Sequence, residues 1–149
     1  MTLDVGDSVP EVETENQDGE TVTLTFEDPT VLYFYPKDDT PGCTVEAKQF
    51  NLELESYRDA GVPVYGISTD AVDSHREFAD KYDLEFDLLT DIEGEIRDRF
   101  DVGKSGGYTN RVTYVLADGE VKKVYTDVDP DGHPREVLSD MIDAGLAKL

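Results

Sequence analysis

The sequence predicts an α/β fold in which a central mixed β-sheet is flanked by helices and preceded by an N-terminal β-hairpin. Three features carry this. Apolar runs of strand length, such as Val31-Leu32-Tyr33-Phe34-Tyr35, alternate with stretches whose apolar residues step by three and four. The clearest hairpin pattern, Val112 to Leu116 and Val121 to Thr126 around Asp118-Gly119, comes late, just before a last helix. No repeat and no long linker interrupts the order, so residues 1–149 are expected to form one domain.

Taken in order, Glu11 to Glu15 alternates apolar and polar, Asn16-Gln17-Asp18-Gly19 turns, and Thr21 to Leu24 alternates again, a hairpin signal. Asp28-Pro29 breaks the chain before a buried strand, Thr30 to Tyr35. After Pro36 and a short polar loop, Thr40 is placed to cap a helix whose first position is Pro41. Cys43, Ala47, Phe50, Leu54 and Tyr57 then share one helix face, and Gly61 closes the helix. Val62 to Ser68 reads as a second buried strand. Asp73 or Ser74 is placed to cap a helix running to Tyr82, with Phe78 and Tyr82 one turn apart. Glu85 to Leu89 reads as a short strand and Ile92 to Phe100 as a helical stretch. A final amphipathic helix after His133-Pro134 uses Val137, Leu138, Met141, Ile142 and Leu146.

Composition narrows the function. A hydrophobic content of 38% with 8 Tyr and 6 Phe argues against disorder. The 35 acidic against 13 basic residues give a net charge of −22, which repels nucleic acid and anionic membranes and excludes both as partners. The acidic residues are spread along the chain, as in a solvated coat suited to high salt, and a halophilic source is expected. One cysteine rules out an internal disulfide and a C-x-x-C redox motif. Met1-Thr2-Leu3-Asp4 lacks the start of a signal peptide and no 18 apolar residues follow one another, so a cytoplasmic location is expected.

Several motifs fail on inspection. Val102-Gly103-Lys104-Ser105 resembles the end of a P-loop, but its first glycine falls on Asp98. Asp127, Asp129, Asp131 and Gly132 start like a calcium loop whose closing glutamate would be Leu138. His75 and His133 read as surface or turn residues, and with one cysteine they make no zinc pattern. No metal and no cofactor is expected. Cys43 stands apart. It lies in the first turn of a helix, where unpaired N–H groups and the positive helix end favour an anion, so the thiol is expected to ionise readily.

The run Phe34-Tyr35-Pro36-Lys37-Asp38-Asp39-Thr40-Pro41-Gly42-Cys43-Thr44 resembles the active-site signature of the peroxiredoxins, in their bacterioferritin-comigratory-protein or Q-type subfamily. Gly6-Asp7, Val9-Pro10, Val64 to Ser68, Arg111 to Val115 and Gly132-His133 follow in the family's order, so the resemblance covers nearly the whole chain. It implies a thioredoxin-like fold and a thiol-dependent peroxidase. Cys43 would attack the peroxide and become a sulfenic acid, and Thr40 would hydrogen-bond thiolate and peroxide. Pro36 would shape and shield the pocket, and Arg111 would stabilise the developing charge. Glu46 would orient Arg111, with Gly42 supporting. A helix end supplies about 0.3–1 kcal/mol, against about 1.4 kcal/mol for each pKa unit, so a close cation is required. Arg111→Ala should therefore slow peroxide reduction far more than it perturbs folding. Many members carry a resolving cysteine five residues after the first, where this chain has Lys48. The sulfenic acid must then be resolved by an external thiol: a low-molecular-weight thiol, a thioredoxin-like protein, or a second subunit's cysteine. A monomer or a homodimer fits equally. A peroxide-sensing regulatory protein would use the same residues without rapid turnover.

Overall fold

The computed structural model describes residues 2–148; Met1 and Leu149, the two ends of the expected domain, lie outside the described residues. In chain order the elements are β1 (Val12–Glu15), β2 (Thr21–Leu24), β3 (Thr30–Phe34), α1 (Pro41–Leu52), α2 (Leu54–Asp59), β4 (Val64–Ser68) and α3 (Val72–Tyr82). They continue with β5 (Asp87–Thr90), α4 (Glu95–Arg99), β6 (Lys104–Ser105), β7 (Tyr108–Thr109), β8 (Val112–Ala117), β9 (Glu120–Tyr125) and α5 (His133–Asp143).

The five-stranded sheet has the order β5-β4-β3-β8-β9. β3 runs parallel to β4 and antiparallel to β8, so the sheet is mixed, as expected. All five residues of β3 are buried. Strand alternation turns Val31 and Tyr33 toward α1, α2, α3 and α5, and Leu32 and Phe34 toward the β1–β2 hairpin and α4. Asp118 and Gly119 both take positive φ, 55° and 70°, which is the type I′ geometry that an Asp-Gly hairpin turn requires.

Several local expectations are corrected. The helix expected to run unbroken to Gly61 is interrupted at Glu53, whose φ −89° and ψ 0° leave the helical region, so α1 and α2 are separate. The face of Cys43, Ala47, Phe50, Leu54 and Tyr57 nevertheless stays buried across the break. Gly61 takes φ 74° and ends α2 with left-handed geometry. α3 begins at Val72, before Asp73 and Ser74, and neither caps it. The helix expected over Ile92 to Phe100 is only Glu95–Arg99, capped by the Asp91 carboxylate, which accepts from the amides of Ile96 and Arg97 at 3.0 and 2.9 Å. Ile142 faces solvent, because Val137, Leu138 and Met141 already fill the inward face of α5. The small β6–β7 hairpin has too little apolar patterning to be read from sequence; Gly106-Gly107, both at positive φ, was its one signal.

Candidate active site

The site lies where β3 ends and α1 begins. β3 delivers the chain to Tyr35, whose amide still bonds Ile67 O at 3.1 Å, and the loop of residues 36–40 then leads into α1. Thr40 has extended N-cap dihedrals and Pro41 is the first helical residue, as predicted. The first helical bond runs from Thr44 N to Thr40 O at 2.8 Å, which leaves the amides of Gly42 and Cys43 ahead of the ladder. Thr40 does not cap with its side chain. Its hydroxyl donates to Lys37 O at 2.9 Å, so it makes neither a cap nor the expected bond to the cysteine. Pro36 is half-buried at the strand end.

Arg111 comes from the other side. β8 pairs with β3 in a register that sets Val112 opposite Phe34, so the residue before Val112 arrives beside the start of α1. Its guanidinium donates through Nη1 to Glu46 Oε1 at 2.7 Å and through Nη2 to Cys43 Sγ at 3.5 Å. Gly42 makes room for it: a Cβ there would lie 3.0 Å from Arg111 Nη2 and 3.7 Å from Pro130 Cγ. Cys43 is 1% exposed. What distinguishes it from an inert core cysteine is the cation against its sulfur.

Glu46 is fully buried, so it is not an exposed first-turn glutamate. Its Oε2 has no hydrogen-bond partner among the described residues. Burial raises its carboxyl and the Arg111 charge and hydrogen bond pull it back, to about 7. Burial works against the guanidinium of Arg111, but Glu46 and then Cys43 outweigh it and hold the group above its ordinary value. Asp38 and Asp39, adjacent in sequence, do not crowd the sulfur. Asp38 bonds Tyr35, Ser74 and His75, and Asp39 bonds Lys81 and Tyr82.

Both histidines are corrected, since each is buried rather than on the surface. His133 opens α5 with Nε2 2.8 Å from Thr113 Oγ1, and burial followed by the Arg111 charge lowers it to about 4. His75 sits in α3 with Nδ1 2.7 Å from Asp38 Oδ2. A usable signal existed for it, because His75, Phe78, Ala79 and Tyr82 follow the i, i+3, i+4, i+7 spacing of a buried stripe.

The sequence model of the AhpC/TSA family matches residues 5–124. This chain belongs to that family. Peroxiredoxin Q, chloroplastic, of Triticum aestivum is 42% identical over 139 residues, which cover 89% of this chain but 64% of the plant protein. The chain thus spans just under two thirds of that relative's length. A putative peroxiredoxin bcp of Coxiella burnetii is 37% identical over 150 residues, covering 93% of this chain and 98% of that protein. Among solved structures, the Xanthomonas campestris bacterioferritin comigratory protein, described for its alkyl peroxide reduction activity, superposes with a TM-score of 0.87 at 29% identity. It covers 96% of this chain and 99% of its own. The peroxiredoxin resemblance read from the motif is therefore a family relationship, and the thioredoxin-like fold is shared with these relatives.

Proposed function

We propose that this protein is a thiol-dependent peroxidase that works through Cys43 as its peroxidatic thiol, on hydrogen peroxide and organic hydroperoxides. The Cys43 thiolate attacks one peroxide oxygen, the O–O bond breaks, and the leaving oxygen takes a proton and departs as water or alcohol. Cys43 is left as a sulfenic acid. An external thiol then attacks that sulfur, expelling water and forming a mixed disulfide. A second thiol equivalent releases Cys43 in its reduced form. With a single cysteine in the chain, the resolving thiol comes from another molecule, a thioredoxin-like protein or a low-molecular-weight thiol.

The observation that carries this reading is the Arg111 guanidinium held by Glu46 with its second nitrogen on Cys43 Sγ. A fixed donor at that place costs no reorganisation as charge spreads from sulfur to the leaving oxygen. Thr40 gives its own proton to Lys37 O, which leaves its oxygen to accept a hydrogen bond from an incoming hydroperoxide. To Pro36, half-buried at the end of β3, we assign the shielding of the pocket. The Xanthomonas relative's alkyl peroxide reduction supports the organic substrate class. Each copy holds the whole set, so a monomer and a homodimer serve alike.

We also place the protein in the cytoplasm, where a lone thiol is kept reduced, and at high salt, on its net charge of −22. No helix among the described residues is long and apolar enough to cross a membrane. The test is to treat the protein with limiting hydrogen peroxide, trap it with a sulfenic-acid reagent and locate the adduct by mass spectrometry. An adduct on Cys43 that disappears with excess thiol, with turnover, is expected. A Cys43 that stays unmodified would defeat the reading.

A further inference from the structure

His75 is fully buried, titratable and absent from the chemistry above, yet it holds the loop that carries Pro36 and Thr40. Its Nε2 lies 2.9 Å from Leu89 O, a group that only accepts, so that nitrogen carries a proton. Its Nδ1 faces Asp38 Oδ2 at 2.7 Å. Asp38 also accepts from Tyr35 Oη at 2.6 Å and from Ser74 Oγ at 2.8 Å. Burial, with Asp38 adding to it, keeps the Tyr35 hydroxyl protonated and hence a donor. The backbone of Asp38 is tied as well, its amide donating to Asp70 Oδ2 at 2.8 Å.

The loop needs such anchoring. Its next residue, Asp39, takes φ 56°, a left-handed conformation that costs residues with a Cβ, aspartate less than most. Asp39 is held on the far side by Lys81 Nζ at 2.8 Å and Tyr82 Oη at 2.9 Å. Four side chains of α3, Ser74, His75, Lys81 and Tyr82, therefore grip the two consecutive aspartates in the middle of the loop. Pro36 lies two residues before Asp38, and Thr40 two after.

We propose that Asp38 and His75 are a positioning pair, holding residues 36–40 in the shape that presents Pro36 and Thr40 to a peroxide at Cys43. This rests on Cys43 being the peroxidatic thiol. Neither residue hydrogen-bonds the sulfur, whose only hydrogen bond among the described residues comes from Arg111.

Two substitutions separate positioning from packing. His75→Asn keeps an amide N–H where Nδ1 stands, toward Asp38, and His75→Gln keeps one where Nε2 stands, toward Leu89. Both remove the ring. The measurements are the stopped-flow rate of Cys43 oxidation by hydrogen peroxide and the rate of Cys43 alkylation by iodoacetamide, which reads the thiol without needing the loop. His75→Gln is expected to lower the peroxide rate constant about tenfold, while His75→Asn stays within about threefold of the parent and alkylation is unchanged in both. Equal losses in the two variants, no loss in either, or alkylation falling in step with oxidation would overturn the pair. Should His75→Gln not fold, Ser74→Ala, which removes one donor from Asp38, is expected to lower the peroxide rate about threefold without affecting alkylation. An unchanged rate there overturns the proposal too. A parent protein whose Cys43 ignores peroxide sinks the peroxidase reading itself, a separate outcome.

Discussion

Arg111 bonds Cys43 and Glu46 and its charge disfavours protonation of His133, and its substitutions are expected to separate those effects. Arg111→Lys keeps a charge but loses the planar fork that reaches Glu46 and the sulfur together. It should lower the peroxide rate constant by about 100-fold in stopped-flow, and a rate near the parent's would remove Arg111 from the mechanism. Arg111→Ala has a second consequence that the motif did not disclose. It strips a fully buried Glu46 of its counter-charge, so folding suffers as well as rate. Arg111→Ala should therefore be less stable to urea than Arg111→Ala combined with Glu46→Gln. The pH dependence follows from the same pair of neighbours. Glu46 is raised from 4.5 to about 7, so its contribution is fully present below about pH 4.5 and is lost as pH rises toward 7. His133 is lowered from 6.5 to about 4, so its contribution is present above about pH 6.5 and is lost as pH falls toward 4. Between these limits the two slopes oppose each other. Urea midpoints taken against pH should show Glu46→Gln removing the fall with rising pH and His133→Gln removing the fall with falling pH.

Among elements, β3 and β4 fit so closely that any side chain at position 66 would crowd the Tyr33 ring. Gly66 pairs with Tyr33, and a Cβ there would lie 2.8 Å from Tyr33 Cζ. The Tyr33 ring cannot easily retreat, being stacked on Phe50 with centroids 4.6 Å apart. Gly66→Ala is expected to destabilise the fold by about 1–3 kcal/mol, measured by urea denaturation; an unchanged midpoint would mean that the ring moves freely. The elements also show why some boundaries were legible. β3 and β8 announced themselves through largely apolar runs, and β9 through the Asp-Gly turn that pairs it with β8, which are local signals. The start of α3 was not, since Ser74 is a good cap residue by type but its hydroxyl is taken by Asp38, 36 positions earlier in the chain.

Across the whole molecule, a net charge of −22 on 149 residues must repel itself. Screening lengths of about 10 Å at 0.1 M salt and 3 Å at 1 M predict a thermal midpoint that climbs between dilute buffer and molar KCl. A flat midpoint would sink the high-salt reading of the surface. The sequence by itself determined the main strands and helices, the place of Cys43 in a first helical turn and the presence of a single thiol in the chain. Each of these depends on local periodicity, capping position or a simple count of cysteines. The motif also pointed to Arg111 and Glu46. Only the tertiary structure decided that Glu46 is buried with one oxygen unpartnered among the described residues, that the Thr40 hydroxyl turns to Lys37, and that both histidines lie inside. Those facts depend on which distant segments the sheet brings together: β8 carries Arg111 to α1, and α3 carries His75 to the loop after β3. Burial and pairing are properties of such meetings, and no single stretch of chain encodes them.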